Sequence, residues 1–293
     1  MLLNRIKRKL IKIFFREQWS LLLCNQDGDI LKHIIPPQDR IWADPFPVES
    51  GGKTYIFIEE QIGHGNGTVG FIELHSDLTY SSFVPILEKE YHLSFPNIFS
   101  FEKNGYITWY MIPETHENKT IDLYRAVDFP FHWEFETTLI DTVDASDTTL
   151  LFFNSYYWLF TSIRTGGVSK NQNLSIFYSD TFPSQKWIPH PGNPVCSSFE
   201  NSRMAGAIFF NKNTGKLNRP SQNCLNDYGR EANINEIIEL TPLSYKEERI
   251  SAIYPERDLH AVCTHTINYS DTYLLRDIKT RNLRFLSQIS LKA

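Results

Sequence analysis

Residues 42–60 read Trp42-Ala43-Asp44-Pro45-Phe46-Pro47-Val48-Glu49-Ser50-Gly51-Gly52-Lys53-Thr54-Tyr55-Ile56-Phe57-Ile58-Glu59-Glu60. A short polar motif leads into an apolar strand. Ser50-Gly51-Gly52-Lys53 then turns the chain into a second strand of aromatic and β-branched residues. The same order recurs four times: FPNIFSFEKNGYITWYMIPE at 95–114, SDTTLLFFNSYYWLFTS at 146–162, RMAGAIFFNKNTGKLNRPSQ at 203–222 and CTHTINYSDTYLLRD at 263–277. The turns are Lys103-Asn104-Gly105, Asn154-Ser155, Asn213-Thr214-Gly215 and Ser270-Asp271. The starts lie roughly 40–60 residues apart, the length of a propeller blade. Strand-like runs at 68–74, 120–127 and 173–178 each complete a four-stranded unit. The pattern predicts an all-β fold, a five-bladed β-propeller over 18–293, against the alternative of a sandwich with chance hairpin similarity. The run 234–240 reads equally as helix or strand.

The chain has 293 residues, 41% of them hydrophobic, which is enough for one large core and excludes wholesale disorder. No apolar run reaches the roughly 18 residues of a membrane span. Cys24, Cys196, Cys224 and Cys263 form no CxxC pair, so no zinc site is expected from them. With no secretory signal in the pattern, they read as reduced thiols in a cytoplasmic protein. Charge is uneven. Lys plus Arg total 29 and Asp plus Glu total 34, a net −5. Yet residues 1–17 carry Arg5, Lys7, Arg8, Lys9, Lys12 and Arg16 against Glu17 alone. At helical spacing Leu2, Leu3, Ile6, Leu10, Ile13 and Phe14 share one face and Arg5, Arg8, Lys9, Lys12 and Arg16 the other. This predicts a short N-terminal amphipathic helix over 1–17. It is either an anchor on the anionic inner face of the plasma membrane or a terminal helix packed on the body. The acidic remainder argues against nucleic acid.

In a propeller the first strand of each blade lines the axis, so motifs at its start converge at one mouth. Asp44, Asp147, Arg203 and His265 occupy comparable points in their repeats. Glu60 and Glu114 end second strands and can rim the same pocket. Trp42 suits stacking on a sugar or packing in the core. Arg219 and Gln222 add donors. His265 has no carboxylate or histidine at metal spacing in the sequence, so no metal or other cofactor is expected. Gly63-His64-Gly65-Asn66-Gly67 precedes no helix, so it reads as a loop near the mouth rather than a phosphate cradle. Serine-hydrolase, ATPase, dehydrogenase and zincin motifs are lacking.

Trp42–Phe46 followed by Phe57–Glu60 resembles the first blade of glycoside hydrolase families 32, 43, 62 and 68. With Met111–Thr115, Asp147–Thr149, Arg203–Gly206, Arg219–Cys224, Tyr228–Gly229 and His265–Thr266, the chain more closely resembles the N-terminal propeller of glucosamine inositolphosphorylceramide transferases. Stand-alone bacterial proteins associated with surface-polysaccharide loci are similar. By this resemblance Asp44 matches a first-blade aspartate that acts as base or nucleophile. Asp147 matches one that tunes the acid. The fourth-blade acid of the hydrolases is replaced by Arg203, which cannot donate a proton at neutral pH. Either Glu114 or Glu60 supplies the acid, with Glu114 preferred, or the protein is no ordinary hydrolase. Arg203 suits an acidic sugar, a sugar phosphate or a nucleotide sugar, or else neutralises Asp44 or Asp147.

The resulting expectation is an enzyme acting on a glycosidic bond in bacterial surface-glycan assembly, by transfer rather than hydrolysis. Asp44, Glu114 and Asp147 would be catalytic. Trp42, Glu60, Arg203, Arg219, Gln222 and His265 would hold a sugar, a nucleotide sugar or a lipid-linked acceptor. The alternative is a non-catalytic glycan-binding propeller assisting a separate transferase.

Overall fold

The computed structural model describes residues 14–283. Five antiparallel sheets stand around one axis. The first four blades span 40–87, 94–141, 145–189 (with Cys196–Ser197 added) and 209–253. Within each, consecutive strands pair in chain order from the axis outward. The strands expected at 68–74, 120–127 and 173–178 are Gly67–Leu74, Thr120–Asp128 and Asn173–Ser179. The ambiguous run 234–240 lies in strand Glu231–Leu240.

The fifth blade closes the ring. Its inner segments Ala261–Cys263 and Ile267–Tyr269 pair with Leu274–Leu283, which pairs in turn with Phe15–Cys24 from the other end of the chain. Ile30–Ile34 completes the sheet. The helix expected over 1–17 therefore needs a correction at its end: Phe15, Arg16 and Glu17 are strand, while residues 1–13 lie outside the described residues. Leu21–Cys24 are fully buried, so tertiary packing overrides the helical periodicity running in from upstream.

Between blades the core is aromatic. Tyr55 and Phe57 of blade one meet Phe129 of blade two edge-on or tilted, and Trp109 stacks on Phe129 at 4.4 Å. Phe101 of blade two packs against Tyr157 and Phe182 of blade three. Trp133 and Trp158 are buried and Trp187, half-buried, packs against the core. All four cysteines are free thiols.

Nearer the axis, side-chain hydrogen bonds join each inner strand to the next. Asp44 accepts from Phe95 N, Asn97 from Leu150 N, and Thr149 donates to Gly206 O. Asn268 closes the circle, accepting from Ala207 N at 2.7 Å and donating to Pro45 O at 2.9 Å. Asn268 joins blade five to both neighbours in this circle, so Asn268→Ala strands the buried Pro45 carbonyl and the half-buried Ala207 N–H. Each costs about 1–3 kcal/mol, so urea unfolding should report a loss of roughly 2–4 kcal/mol. A loss under ~1 kcal/mol would show that the circle is not a cohesive element.

Candidate functional site

The inner strands of blades one to three share a bulge. Register shifts fall between Ala43 and Phe46, Ser94 and Asn97, and Ser146 and Thr149. Asp44, Phe95 and Asp147, the first residues inside these bulges, have φ of 52°, 46° and 53°. Such backbone is costly for residues with a Cβ, of order 1–2 kcal/mol each. At two of the three points the side chain is a buried aspartate that the fold holds in place by hydrogen bonds. The bulges open at one end of the axis onto a cavity of about 430 Å³. Asp44, Glu114, Arg203 and His265 line it together, brought from four blades.

One side is a chain of buried charge. Asp277, fully enclosed, accepts His265 N, Thr266 N and Asp44 N, and its Oδ2 lies 2.6 Å from His265 Nδ1. His265 Nε2 faces Asp44 Oδ1 at 3.4 Å. Asp44 also accepts Thr266 Oγ1 at 2.6 Å. Trp19 lies against the imidazole at 4.3 Å and Tyr228 meets it edge-on at 5.3 Å. Gly229 permits that closeness, since a Cβ there would fall 2.3 Å from the His265 Cβ. Burial opposes charge on His265, but Asp277 and Asp44 outweigh it and lift its pKa to about 9. Burial lifts Asp44 to about 6 against the pull of His265. Sequence spacing assigned His265 no carboxylate partner; the fold supplies two. The three side chains have a metal-ligand composition. Three backbone N–H groups and the imidazole already engage Asp277, so the trio is satisfied as an ion-pair chain.

The other side is built on Arg203. Its Nε and Nη2 grip Asp147 at 2.5 and 3.1 Å, Nη2 reaches Glu114 at 3.3 Å, and Nη1 donates to Asn171 at 2.8 Å. Glu114 also accepts Asp147 N, and His116 and Lys170 approach its Oε1 at 2.7 and 3.3 Å. Burial pushes the Glu114 carboxyl up, but His116, Arg203 and Lys170 outweigh it and hold it well below the usual range. Glu114 is thus kept as a carboxylate, able to orient or accept but poorly placed to donate a proton. Of the two readings for Arg203, the structure shows the ion pair with Asp147.

Other expected residues separate. Asp147 and Gln222 sit behind the cavity wall, joined through Gln222 Nε2 at 2.9 Å. Arg219 is enclosed within blade four, bound to Glu247 and Asn201. Trp42 and Glu60 bond each other at 2.8 Å and line a neighbouring groove. The cavity instead receives Glu59, paired with His92 at 3.2 Å, and His116, Lys170 and Asn171 from mouth loops. Glu59 raises His92 by hydrogen bonding against its burial. The Glu59-Glu60 dipeptide signals that one of two acids faces the axis, and the packing of the folded sheet makes it Glu59. The loop residues carry no sequence signal of their own.

The His265 shift sets a pH dependence. The folded pKa lies above the unfolded value of about 6.5, so the folded state binds the proton more tightly. The stabilisation is complete below pH ~6.5 and is lost as pH rises through about 9. Urea unfolding at pH 6, 7.5 and 9 should show falling stability, on the order of 3 kcal/mol in all if His265 dominates. His265→Gln should flatten the slope. An equally steep slope in that variant would place the titration elsewhere.

Residues 35–261 match the family described as glucosamine inositolphosphorylceramide transferase 1, N-terminal. The chain is 34% identical over 210 residues to a glucosamine inositolphosphorylceramide transferase 1 from Oryza sativa subsp. japonica, covering 70% of this chain and 27% of that one. The Arabidopsis thaliana protein of the same name is 33% identical over 213 residues, with 71% and 27% covered. The chain thus spans about a quarter of the length of these relatives. Among solved structures, a protein titled glycoside hydrolase superposes with a TM-score of 0.59 at 11% identity, covering 96% of both chains. The GH43 protein BlXynB of Bacillus licheniformis gives 0.56 at 15% identity, covering 83% and 51%. These structures share the fold. The chain belongs to the family of the glucosamine inositolphosphorylceramide transferase 1 N-terminal domain.

Proposed function

We propose that this propeller recognises a sugar in the course of glycosyl transfer and that the axial cavity is its seat. The observation carrying this reading is the grip of Arg203 on both Asp147 and Glu114. It fills the place of a hydrolase acid with a permanent cation and ties up the two nearest carboxylates. A cavity of about 430 Å³ is near the lower end of the roughly 300–1,000 Å³ typical of small-ligand sites, room for a sugar and little more. Its charges are paired within the wall, which favours a neutral or amino sugar over the phosphate or carboxylate first expected of Arg203. The relatives named above are transferases, matched over a quarter of their length. Bond formation in this reading belongs to a separate catalytic unit.

A second reading is favoured by Asp44 alone. Its pKa of about 6 and its place on the cavity suit a general base or nucleophile near neutral pH, with Asp147 orienting and Glu114 binding. Protonated His265, not Glu114, would then be the proton source. Nucleotide-sugar donors, lipid-linked acceptors, a bacterial surface-glycan setting and a cytoplasmic, membrane-apposed location belong to this proposal. The relatives quoted are plant proteins and carry none of the bacterial setting.

Thermal-shift screening of neutral, amino and acidic sugars and nucleotide sugars tests the cavity. A ligand at 100 times its Kd adds about 2.7 kcal/mol. Neutral or amino sugars should stabilise the wild type and act at least about tenfold more weakly on Asp44→Asn. Hits unaffected by Asp44→Asn would move the sugar elsewhere. For the membrane, deletion of residues 1–13 keeps Phe15–Cys24 and should abolish binding to anionic vesicles at low salt. Undiminished binding would remove that part of the proposal.

A further inference from the structure

Glu59 and Glu60 are consecutive on strand Lys53–Ile62, so their side chains leave opposite faces of the sheet. Glu59 meets His92 in the axial cavity. Glu60 faces a groove of about 1080 Å³ on the flank of the first blade. The inner strand alternates likewise: Ile41 and Ala43 line the cavity, Arg40 and Trp42 the groove. Asn66 and Thr68 line the groove, and a Cβ on the buried Gly67 between them would fall 2.8 Å from Glu59 Oε1 and from the His92 ring, which line the cavity.

The groove has a built floor. The Glu60 carboxylate is nearly fully buried, accepts the Trp42 indole N–H, and lies 3.3 Å from Arg40 Nη1. A carboxylate has about four acceptor sites, so it can take hydroxyl hydrogens as well. Trp42 is buried beneath and holds it in place. Tyr80 and Phe83, half-buried, supply an aromatic wall, and exposed Ser82 stands at the rim. A flat apolar wall beside a charged, hydrogen-bonding floor matches a sugar ring, with its C–H face and its hydroxyl edge. An acyl chain laid there would desolvate Glu60 and Arg40 without replacing their hydrogen bonds to water.

We propose that this groove is a second carbohydrate subsite, taking units of a glycan chain beyond the one seated in the axial cavity. It rests on the sugar-recognition reading of that cavity. The chain would pass over the stretch around Asn66–Thr68 that separates the two spaces, so affinity rises with glycan length.

The test is binding to a printed array of defined glycans, graded from mono- to octasaccharides, with the full chain as wild type, Ser82→Trp, Tyr80→Ala and Asp44→Asn. Ser82→Trp fills the groove from an exposed position; Tyr80→Ala removes half its wall should the tryptophan perturb folding. Longer glycans should bind about tenfold less well to both groove variants, with mono- and disaccharides unchanged. Asp44→Asn should weaken every length. Length-dependent binding that survives both groove variants overturns the subsite and leaves the cavity reading intact. Loss in the groove variants alone, with Asp44→Asn unaffected, upholds the groove and overturns the cavity. Binding of no glycan by the wild type overturns both. In a parallel arm with zwitterionic phospholipid vesicles, binding sensitive to Ser82→Trp overturns the carbohydrate assignment in favour of lipid.

Discussion

Charge can be buried around a propeller axis only where each group meets a counter-charge or a row of donors. Arg203 satisfies that constraint for two carboxylates at once, joining blade four to Asp147 of blade three and Glu114 of blade two. Asp277, His265 and Asp44 do the same between blades five and one. Buried ion pairs of this kind add little net stability, but breaking one by removing a partner costs about 3–5 kcal/mol. They act as spacers that fix the relative placement of all five inner strands at the mouth. The cavity between them keeps its shape because neither cluster can relax without exposing an unpaired charge.

The blade plan was legible because its signals are local. Each hairpin carries its own turn, and Asp44, Asp147, Arg203 and His265 could be aligned by counting from those turns. Ring closure was harder to read. Phe15–Cys24 pairs with Leu274–Leu283, and nothing in either stretch names its partner. The upstream residues meanwhile continue a helical period into Phe14. Within the site, Glu60, expected at the rim of the axial pocket, lines the groove instead. Glu59 and Glu60 are neighbours on one regularly alternating strand, so one faces the axis and the other the groove, and the dipeptide alone does not say which. Asp277 ends the second strand of the fifth repeat opposite Thr266, and only the folded pairing shows that its carboxylate meets His265 Nδ1. His92, His116 and Lys170 were out of reach because mouth loops carry them.

Arg203 also explains why a hydrolase-like fold need not retain hydrolase chemistry. Glycosidic cleavage needs one carboxyl protonated and a second ionised. Here a hydrogen bond from His116 and the charges of Arg203 and Lys170 converge on Glu114 and hold it ionised, while Asp147 is sealed behind the guanidinium. The proton instead rests on His265, fixed from behind by Asp277. In the proposed reading the polar groups that remain on the cavity wall would position a sugar, and bond formation would fall to a separate unit.

The direction of the closing strand ties this pocket to the N-terminal segment. Phe15–Cys24 runs antiparallel to Leu274–Leu283, which runs antiparallel to the inner strand carrying His265. Phe15 therefore lies at the mouth. Trp19, four residues on, lines the cavity and packs on His265. At about 3.3 Å per residue, Phe15 is roughly 13 Å along the strand from the cavity wall. The basic stretch ahead of it joins the propeller beside the pocket. Had this strand entered in the opposite sense, the same five basic residues would join at the far face, and a surface holding them would hold the cavity away from itself.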